Sequence, residues 1–483
     1  MADPADLAKQ VADVTKSVGD LQTAANIVWT LVTGFLVMFM QLGFALLETG
    51  LTRAKNVTHT MGMNIFVYAI GVLAFWLCGF ALQMGGVGAL ATFGNDATLA
   101  HEFVIHVGGK EWGLFGLSGF MLSPSVYTPA IAVLFLFQMV FMDTAATIPT
   151  GAMAERWKFL SFCLFSVLIA AVIYPLYANW VWGGGWLSTL GKNYGFGHGH
   201  VDFAGSSVVH MTGGVMALVG AKLIGPRVGK YTKDGKVNAI PAHNIPMVVT
   251  GTLILAFGWF GFNPGSTLAG TDTRTALVAT NTMIASAAGA LTACVYVWTR
   301  FGKPDVTMIC NGLLAGLVAI TGPCAFVSSG AAVVIGGVAG VLVVLAAIFV
   351  DQKLKIDDPV GAVAVHGVCG AWGIIGLGLF ANGTYGDGLN GVAGNVKGLF
   401  YGDSGQLVAA LIGIAVNVLW VGAAAFVGLK VVNGLVGNRV SEQSEIEGLD
   451  EGEMGLPGYS AEAGHPVPPE MNLPHAGAAS PAE

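Results

Sequence analysis

Eleven runs of about twenty apolar residues, the length that crosses the hydrocarbon core of a bilayer, decide what this chain can fold into. They lie near 27–49, 61–84, 129–150, 159–180, 204–224, 244–263, 276–298, 306–324, 328–350, 359–381 and 406–429. Soluble domains are about 25% charged, whereas this chain is 10% charged and 54% hydrophobic, with 70 glycines. It is therefore read as an all-α polytopic membrane protein. No basic patch with interleaved aromatics is present, which sets nucleic acid aside.

Charge gives the orientation. With the amino terminus outside, the cytoplasmic side holds Arg53, Lys55, Arg156, Lys158, Lys222, Arg227, Lys230, Lys233, Lys236, Arg300, Lys303, Lys353, Lys355, Lys430 and Arg439. Lys9, Lys16, Lys110, Lys192, Arg274 and Lys397 remain outside, an asymmetry that fits the positive-inside rule and an odd number of spans. The opening stretch is polar (Asp3, Asp6, Lys9, Asp13, Lys16, Asp20) and leads into a run without a basic flank or small-residue cleavage site, so no signal peptide is expected. Residues 1–26 are expected to form an extracytoplasmic segment with a short helix, and 27–429 the transmembrane domain. The acidic, helix-prone SEQSEIEGLDEGE places a docked cytoplasmic tail at 430–455, and the proline-rich 456–483 reads as a disordered end. The glycine-rich connection 86–128 carries His101 and His106, expected to be solvated, and has no readable role.

Two stretches carry ionisable groups into apolar helices. In VDFAGSSVVHMTGG, Asp202 precedes His210 by eight positions; in DDPVGAVAVHGVCG, Asp358 precedes His366 by the same interval, and a glycine follows each histidine by four (Gly214, Gly370). These segments are the fifth and tenth spans. An offset of five spans turns the second set of five upside down relative to the first, giving a 5+5 inverted repeat with one span left over and a site near the midplane. Ionisable residues inside a bilayer point to function. Two facing imidazoles can hydrogen-bond and fix each other's tautomers. Zinc would want three or four ligands, and only Cys369 stands near either histidine. The six cysteines lie in apolar segments without C-x-x-C spacing and read as packing thiols. Asp202 is expected either to cap a helix beginning at Phe203 or to lower the potential at a pore mouth, and both can hold.

Aromatic residues form a second set. VWGGGW places Trp182 beyond the fourth span, FQMVF places Phe137 and Phe141 one turn apart on the third, and GWFGFNPGS places Phe262 and Ser266 at the outer end of the sixth. Such rings either belong to an interfacial belt or, bent by adjacent glycines, line a vestibule. Gly336 with Gly340, and Gly213 with Ala217, are expected to allow close helix approach.

DFAGSSVVHMTGGVMALVGAKLIGPR, with GFALLETGLTRAKN, GAMAERWKF, GWFGFNPGS, CNGLLAGLVAITGPC, DDPVGAVAVHGVCGAWG and VSEQSEIEGLD, resembles the ammonium transporter family, which includes the Rhesus-type proteins. The resemblance covers roughly Ala25 to Asp450 and implies a homotrimer of eleven-helix subunits in the inner (plasma) membrane, one pore each, taking ammonium and methylammonium. It assigns Trp182, Phe141 and Ser266 to an outer recruitment site, Phe141 and Phe262 to a stacked phenyl gate, and His210 with His366 to a pore pair. It makes Asp202 a carboxylate that shapes recruitment without touching the ion. It also implies a cytoplasmic PII signal protein as partner, and neither cofactor nor enzymatic activity. A neutral ammonia or carbon dioxide channel is the alternative that charge movement would discriminate. An ammonium sensor is the other, acting through a bound partner because no catalytic motif follows Arg439. Asp143, two residues past Phe141, departs from the small or apolar residue expected there. On a helix it points about 200° from Phe141, toward a polar contact with a neighbouring helix or subunit.

Overall fold

The computed structural model describes residues 3–459. Its long helices are α1 Pro4–Leu51, α2 Ala54–Met84, α3 Pro129–Met153, α4 Phe159–Trp182, α5 Ser206–Ile224, α6 Ile245–Thr267, α7 Thr275–Phe301, α8 Val306–Thr321, α9 Ser329–Lys353, α10 Val363–Phe380 and α11 Ser404–Val436. All but α8 are long and apolar enough to cross a membrane. Helix α8 stops short because Gly322 and Pro323 follow it; the Gly322 amide donates instead to Ser206 Oγ at 2.7 Å and its carbonyl accepts from Phe203 N at 3.0 Å. The end of α8 is thereby tied to the mouth of α5.

The pairing of α5 with α10 follows from the glycines four residues after each histidine. A β-carbon on Gly214 would stand 2.1 Å from Gly367 N, and one on Gly370 2.5 Å from the Ser206 carbonyl. Each histidine helix thus crosses the other backbone to backbone. Gly336 and Gly340 of α9 press in the same way on the carbonyls of Ala285 and Gly289 in α7. Gly214→Ala should therefore be destabilising by about 1–3 kcal/mol through overpacking, seen as a lowered thermal midpoint in detergent. Gly422→Ala, whose β-carbon would meet only Val215 Cγ1 at 3.8 Å, should be neutral or slightly stabilising.

Two segments differ from the expectation. Residues 4–26 are not a separate short helix but the first turns of α1, which runs unbroken for 48 residues from the Asp3 cap. The connection 86–128 holds an antiparallel hairpin, β1 Glu102–Val107 and β2 Lys110–Gly116. Trp112 of β2 stacks on Trp186 at 4.9 Å, and the Leu114 carbonyl accepts from Trp180 Nε1 at 2.9 Å, so the hairpin braces the turn after α4. His101 and His106 are exposed, as expected.

At the opposite end, Arg227 forks onto Asp357 (Nε–Oδ2 2.8 Å, Nη2–Oδ1 2.9 Å) and reaches Glu155 at 2.6 Å. Burial pushes the Asp357 carboxyl up, but Arg227 outweighs this and holds it well below the usual carboxylate range. The tail helices α12 Glu442–Glu447 and α13 Leu449–Met454 dock beside this cluster. Their carboxylates accept from backbone amides: Asp450 from His59, Glu453 from Phe159 at the start of α4, and Glu445 from Val228. Asp450 and Glu453 thereby sit at the N-terminal turns of α2 and α4, where anions are favoured, and Glu445 holds the loop after α5. The expected disordered end at 456–483 falls, from residue 460 on, outside the described residues.

Candidate functional site

Asp202 builds the mouth of α5. Its Oδ1 accepts from the amides of Gly205 and Ser206, both at 2.9 Å; Oδ2 accepts from Ser207 N at 2.7 Å, Val208 N at 3.0 Å and Ser207 Oγ at 2.7 Å. Five donors on two oxygens use up a carboxylate's capacity of about four lone-pair sites, so Asp202 cannot also ligate a cation. The helix does not begin at Phe203 as expected but at Ser206, after Gly205 takes a φ of 118° that glycine alone tolerates well. Asp202 still caps it, from three residues before that turn. Its carbonyl also accepts the Trp182 indole N–H at 2.7 Å, fixing that ring over the mouth.

Behind Asp202 lies His200, a residue outside the predicted spans 159–180 and 204–224. His200 is fully buried, with Nε2 2.9 Å from Ser207 Oγ and 3.4 Å from Tyr177 Oη. Ser207 donates to Asp202 and Tyr177 to the Gly413 carbonyl at 3.1 Å. Both hydroxyls have spent their hydrogens, so His200 Nε2 carries its own. Burial lowers the imidazole pKa from its ordinary value, while the Asp202 charge raises it.

From Trp182 inward the aromatic rings form one column. Trp182 meets Phe141 edge-on at 6.0 Å, and Phe141 stacks on Phe262 at 4.1 Å with Phe137 at 4.6 Å to its side. Phe262 stacks on His210 at 5.3 Å, His210 on His366 at 5.3 Å, and His366 meets Phe44 at 6.1 Å. The histidine rings share a hydrogen bond, Nδ1 to Nδ1, of 3.2 Å. Each lies in a π turn, Ser206–Met211 or Val363–Val368, the kind of bulge that recurs at functional positions. Ser266 is half-buried and donates its hydroxyl hydrogen to the Phe262 carbonyl at 2.8 Å, leaving its oxygen to accept. The structure therefore brings seven of the eight expected side chains into this column or its mouth; Asp202 stands behind them as scaffold. Asp358 repeats part of the Asp202 pattern at the other end, accepting from Gly361 N at 3.1 Å and Val363 N at 2.8 Å.

Trp259 was missed. It stacks on His210 at 5.1 Å and is anchored by its N–H on Thr321 Oγ1 at 2.8 Å. Its place three residues before Phe262, on the same helix face, was the available signal. Asp143 is buried within the chain beside Gly71 of the neighbouring helix α2, and among the described residues its Oδ1 has no hydrogen-bond partner. Glu48 of α1 is another buried carboxylate. It accepts from Asn64 Nδ2 at 2.8 Å and Thr150 Oγ1 at 2.7 Å, and shares the wall of a cavity of about 10 Å³ with His366, Phe44 and Asn311.

Comparison with known proteins gives a consistent set. The profile described as Ammonium Transporter Family matches residues 28–459. Ammonium transporter Amt2 of Archaeoglobus fulgidus is 45% identical over 438 residues, 90% of this chain and 88% of that protein. Ammonium transporter Amt1 of Haloferax mediterranei is 39% identical over 90% of this chain and 79% of its own. Among solved structures, a protein named Sensor Amt Protein superposes with a TM-score of 0.78 at 33% identity, covering 90% of this chain and 99% of its own. Mep2 of Candida albicans does so with 0.72 at 27%, covering 87% of each.

Proposed function

The chain belongs to the ammonium transporter family, whose members are transporters and not enzymes, and from that membership we propose that it separates ammonium into ammonia and a proton for the crossing. The observation that carries this reading is the Nδ1 to Nδ1 bond of His210 and His366, closed inside a column of stacked rings. In this reading the Trp182 end faces outside, the tail lies in the cytoplasm, and three subunits assemble with one pore each.

Ammonium offers only donors and a charge. Trp182 and Phe141 present ring faces, worth roughly 0.5–2 kcal/mol each as cation–π partners, and Ser266 presents a free acceptor. Asp202 adds negative potential without contact. Dehydrating the ion completely costs tens of kcal/mol in the Born limit, which is far beyond what these groups return. The proton therefore leaves at the phenyl gate of Phe141 and Phe262, and neutral ammonia, or methylamine from methylammonium, passes the rings.

The histidine pair can carry the proton. When His210 donates through Nδ1, its Nε2 is bare and His366 holds hydrogen on Nε2. A proton taken at His210 Nε2 shifts the shared hydrogen to His366, which releases its own. Glu48 is placed to receive it across the shared cavity, which has room for about one water. Thr150 Oγ1 suits both states of that carboxyl. It can donate to Glu48 when ionised, or accept from it when protonated while turning its hydrogen to the Thr147 carbonyl. Glu48→Gln keeps the shape and loses the proton site. Its ammonium-evoked current should fall at least about tenfold, with Glu48→Asp retaining part of it.

Current recordings on purified protein in liposomes, with ammonium pulses on a solid-supported membrane, test the whole reading. A transient inward current on each pulse supports it; ammonia-driven flux without current supports the neutral channel. Binding without flux or current supports a sensor, the reading favoured by the likeness to Sensor Amt Protein. In the same reading, a PII partner at the cytoplasmic exits would meet the docked α12 and α13.

A further inference from the structure

The first turns of α1 lie beyond the bundle. Asn26 Nδ2 donates to the Thr92 carbonyl, and Trp29 Nε1 to Thr267 Oγ1, so this part of α1 is level with the loops at the Trp182 end. Residues 3–22 precede it, and every one of them is exposed. The family profile begins at residue 28 and does not include them. The helix there is continuous with the span, so it projects from the bundle by about 28 Å at 1.5 Å per residue.

A solvated helix of this kind should be polar all round or paired. In the single chain this one is neither. Its large apolar residues are Leu7, Val11, Val14, Val18 and Leu21, 50–71% exposed, and their spacing alternates strictly between four and three. That is the a/d stripe of a heptad, with Val11 and Val18 at a, and Leu7, Val14 and Leu21 at d. The polar side keeps the same period: Asp6, Asp13 and Asp20 recur every seven residues, as do Lys9 and Lys16. The stripe then enters the membrane without a phase break, through Ala25 to Val28, Val32, Phe35, Phe39 and Leu42, the last five 43–59% exposed on the single chain.

We propose that residues 4–22 of three copies of this chain wind into a parallel coiled coil outside the membrane, continuing an interface made by the exposed face of α1 within it. Heptad pairing is satisfied by a like helix in register, and subunits related by an axis along the bilayer normal present their α1 helices parallel. Val11 and Val18 at a with Leu7 and Leu21 at d would by themselves suit two strands, and Val14 at d departs from that pattern; the number three comes from the trimer of the reading above. The charged rings at Asp6, Lys9, Asp13, Lys16 and Asp20 stay on the outer surface, spaced three and four apart for pairing along each helix.

Cysteine cross-linking in native membranes tests this. Val14→Cys faces the seam and should give disulfide-linked dimers on mild oxidation, about tenfold or more above Lys16→Cys, which faces away. Equal linking at the two positions, or none at Val14→Cys, overturns the coiled coil and leaves a membrane surface or another protein as what covers the stripe. Leu21→Asp should lower the temperature at which the oligomer dissociates while leaving ammonium currents as they are; an unchanged dissociation temperature counts against the proposal. The inference rests on the trimer in the reading above, and the two fail differently. A monomeric mass by light scattering removes the trimer, whereas a trimeric mass without the Val14→Cys link removes only the coiled coil.

Discussion

Replacing His210 with alanine is expected to yield a protein that still passes current on an ammonium pulse but also passes potassium, its potassium current rising from background to within about tenfold of the ammonium current. The imidazole is wholly buried and wedged between Phe262, Trp259 and His366. Removing it opens a cavity beside the bare Nδ1 of His366, which loses its partner at 3.2 Å. A polar, roomy gap of that kind takes up water, and with water in the pore an ion no longer has to shed its whole hydration shell. Selectivity in the wild type would then come from dryness rather than from a fitted binding cage. Recordings with alternating ammonium and potassium pulses decide it. Unchanged selectivity together with unchanged flux in His210→Ala would sink the charge-separating route, since the pair would then have no part in it.

The spans were legible because bilayer crossing imposes a length and a composition that survive any packing arrangement. Most predicted boundaries fall within a few residues of the helices, as with 129–150 against Pro129–Met153. The pairing of His210 with His366 was legible for a similar reason, since a duplicated D-x7-H pattern implies duplicated geometry. What the chain hid depends on partners distant in sequence. His200 looked like a loop residue because its burial is supplied by Gly413 of α11, where a β-carbon would stand 2.0 Å from the ring. The hairpin Glu102–Gly116 is short and interrupted by Gly108 and Gly109, so no apolar run announced it. The change from polar to apolar near residue 26 suggests a boundary, yet α1 runs straight through it. The heptad of Leu7 to Leu21 crosses that change in phase, and attention to its period would have found both the continuity and the seam.

Asp202→Asn is expected to have an effect as large as that at His210, by a different route. The side chain keeps its volume but turns one acceptor oxygen into an NH₂ donor. Whichever way the amide faces, that donor points at two backbone N–H groups: those of Gly205 and Ser206, or those of Ser207 and Val208. Each amide left without an acceptor in the interior costs about 1–3 kcal/mol, so the turn should reshape rather than tolerate the clash. Three things move with it. The Asp202 carbonyl carries the Trp182 indole, Ser206 Oγ carries the end of α8 at Gly322, and the π turn itself sets the His210 ring. A shift of about 1 Å in groups that must be in register costs around 10²-fold in rate, and loss of that order in the ammonium current is the expected result. Ser207→Ala separates geometry from charge. It removes one of the five bonds to Asp202 and leaves His200 Nε2 with only Tyr177, yet keeps the carboxylate and all four amide bonds. If the amide cage is what matters, Ser207→Ala should lose only a few-fold while Asp202→Asn loses about 10²-fold. Equal and severe losses would instead make the hydroxyl link between Asp202 and His200 the essential element, and near-normal current in Asp202→Asn would show that neither the cage nor its charge governs the mouth.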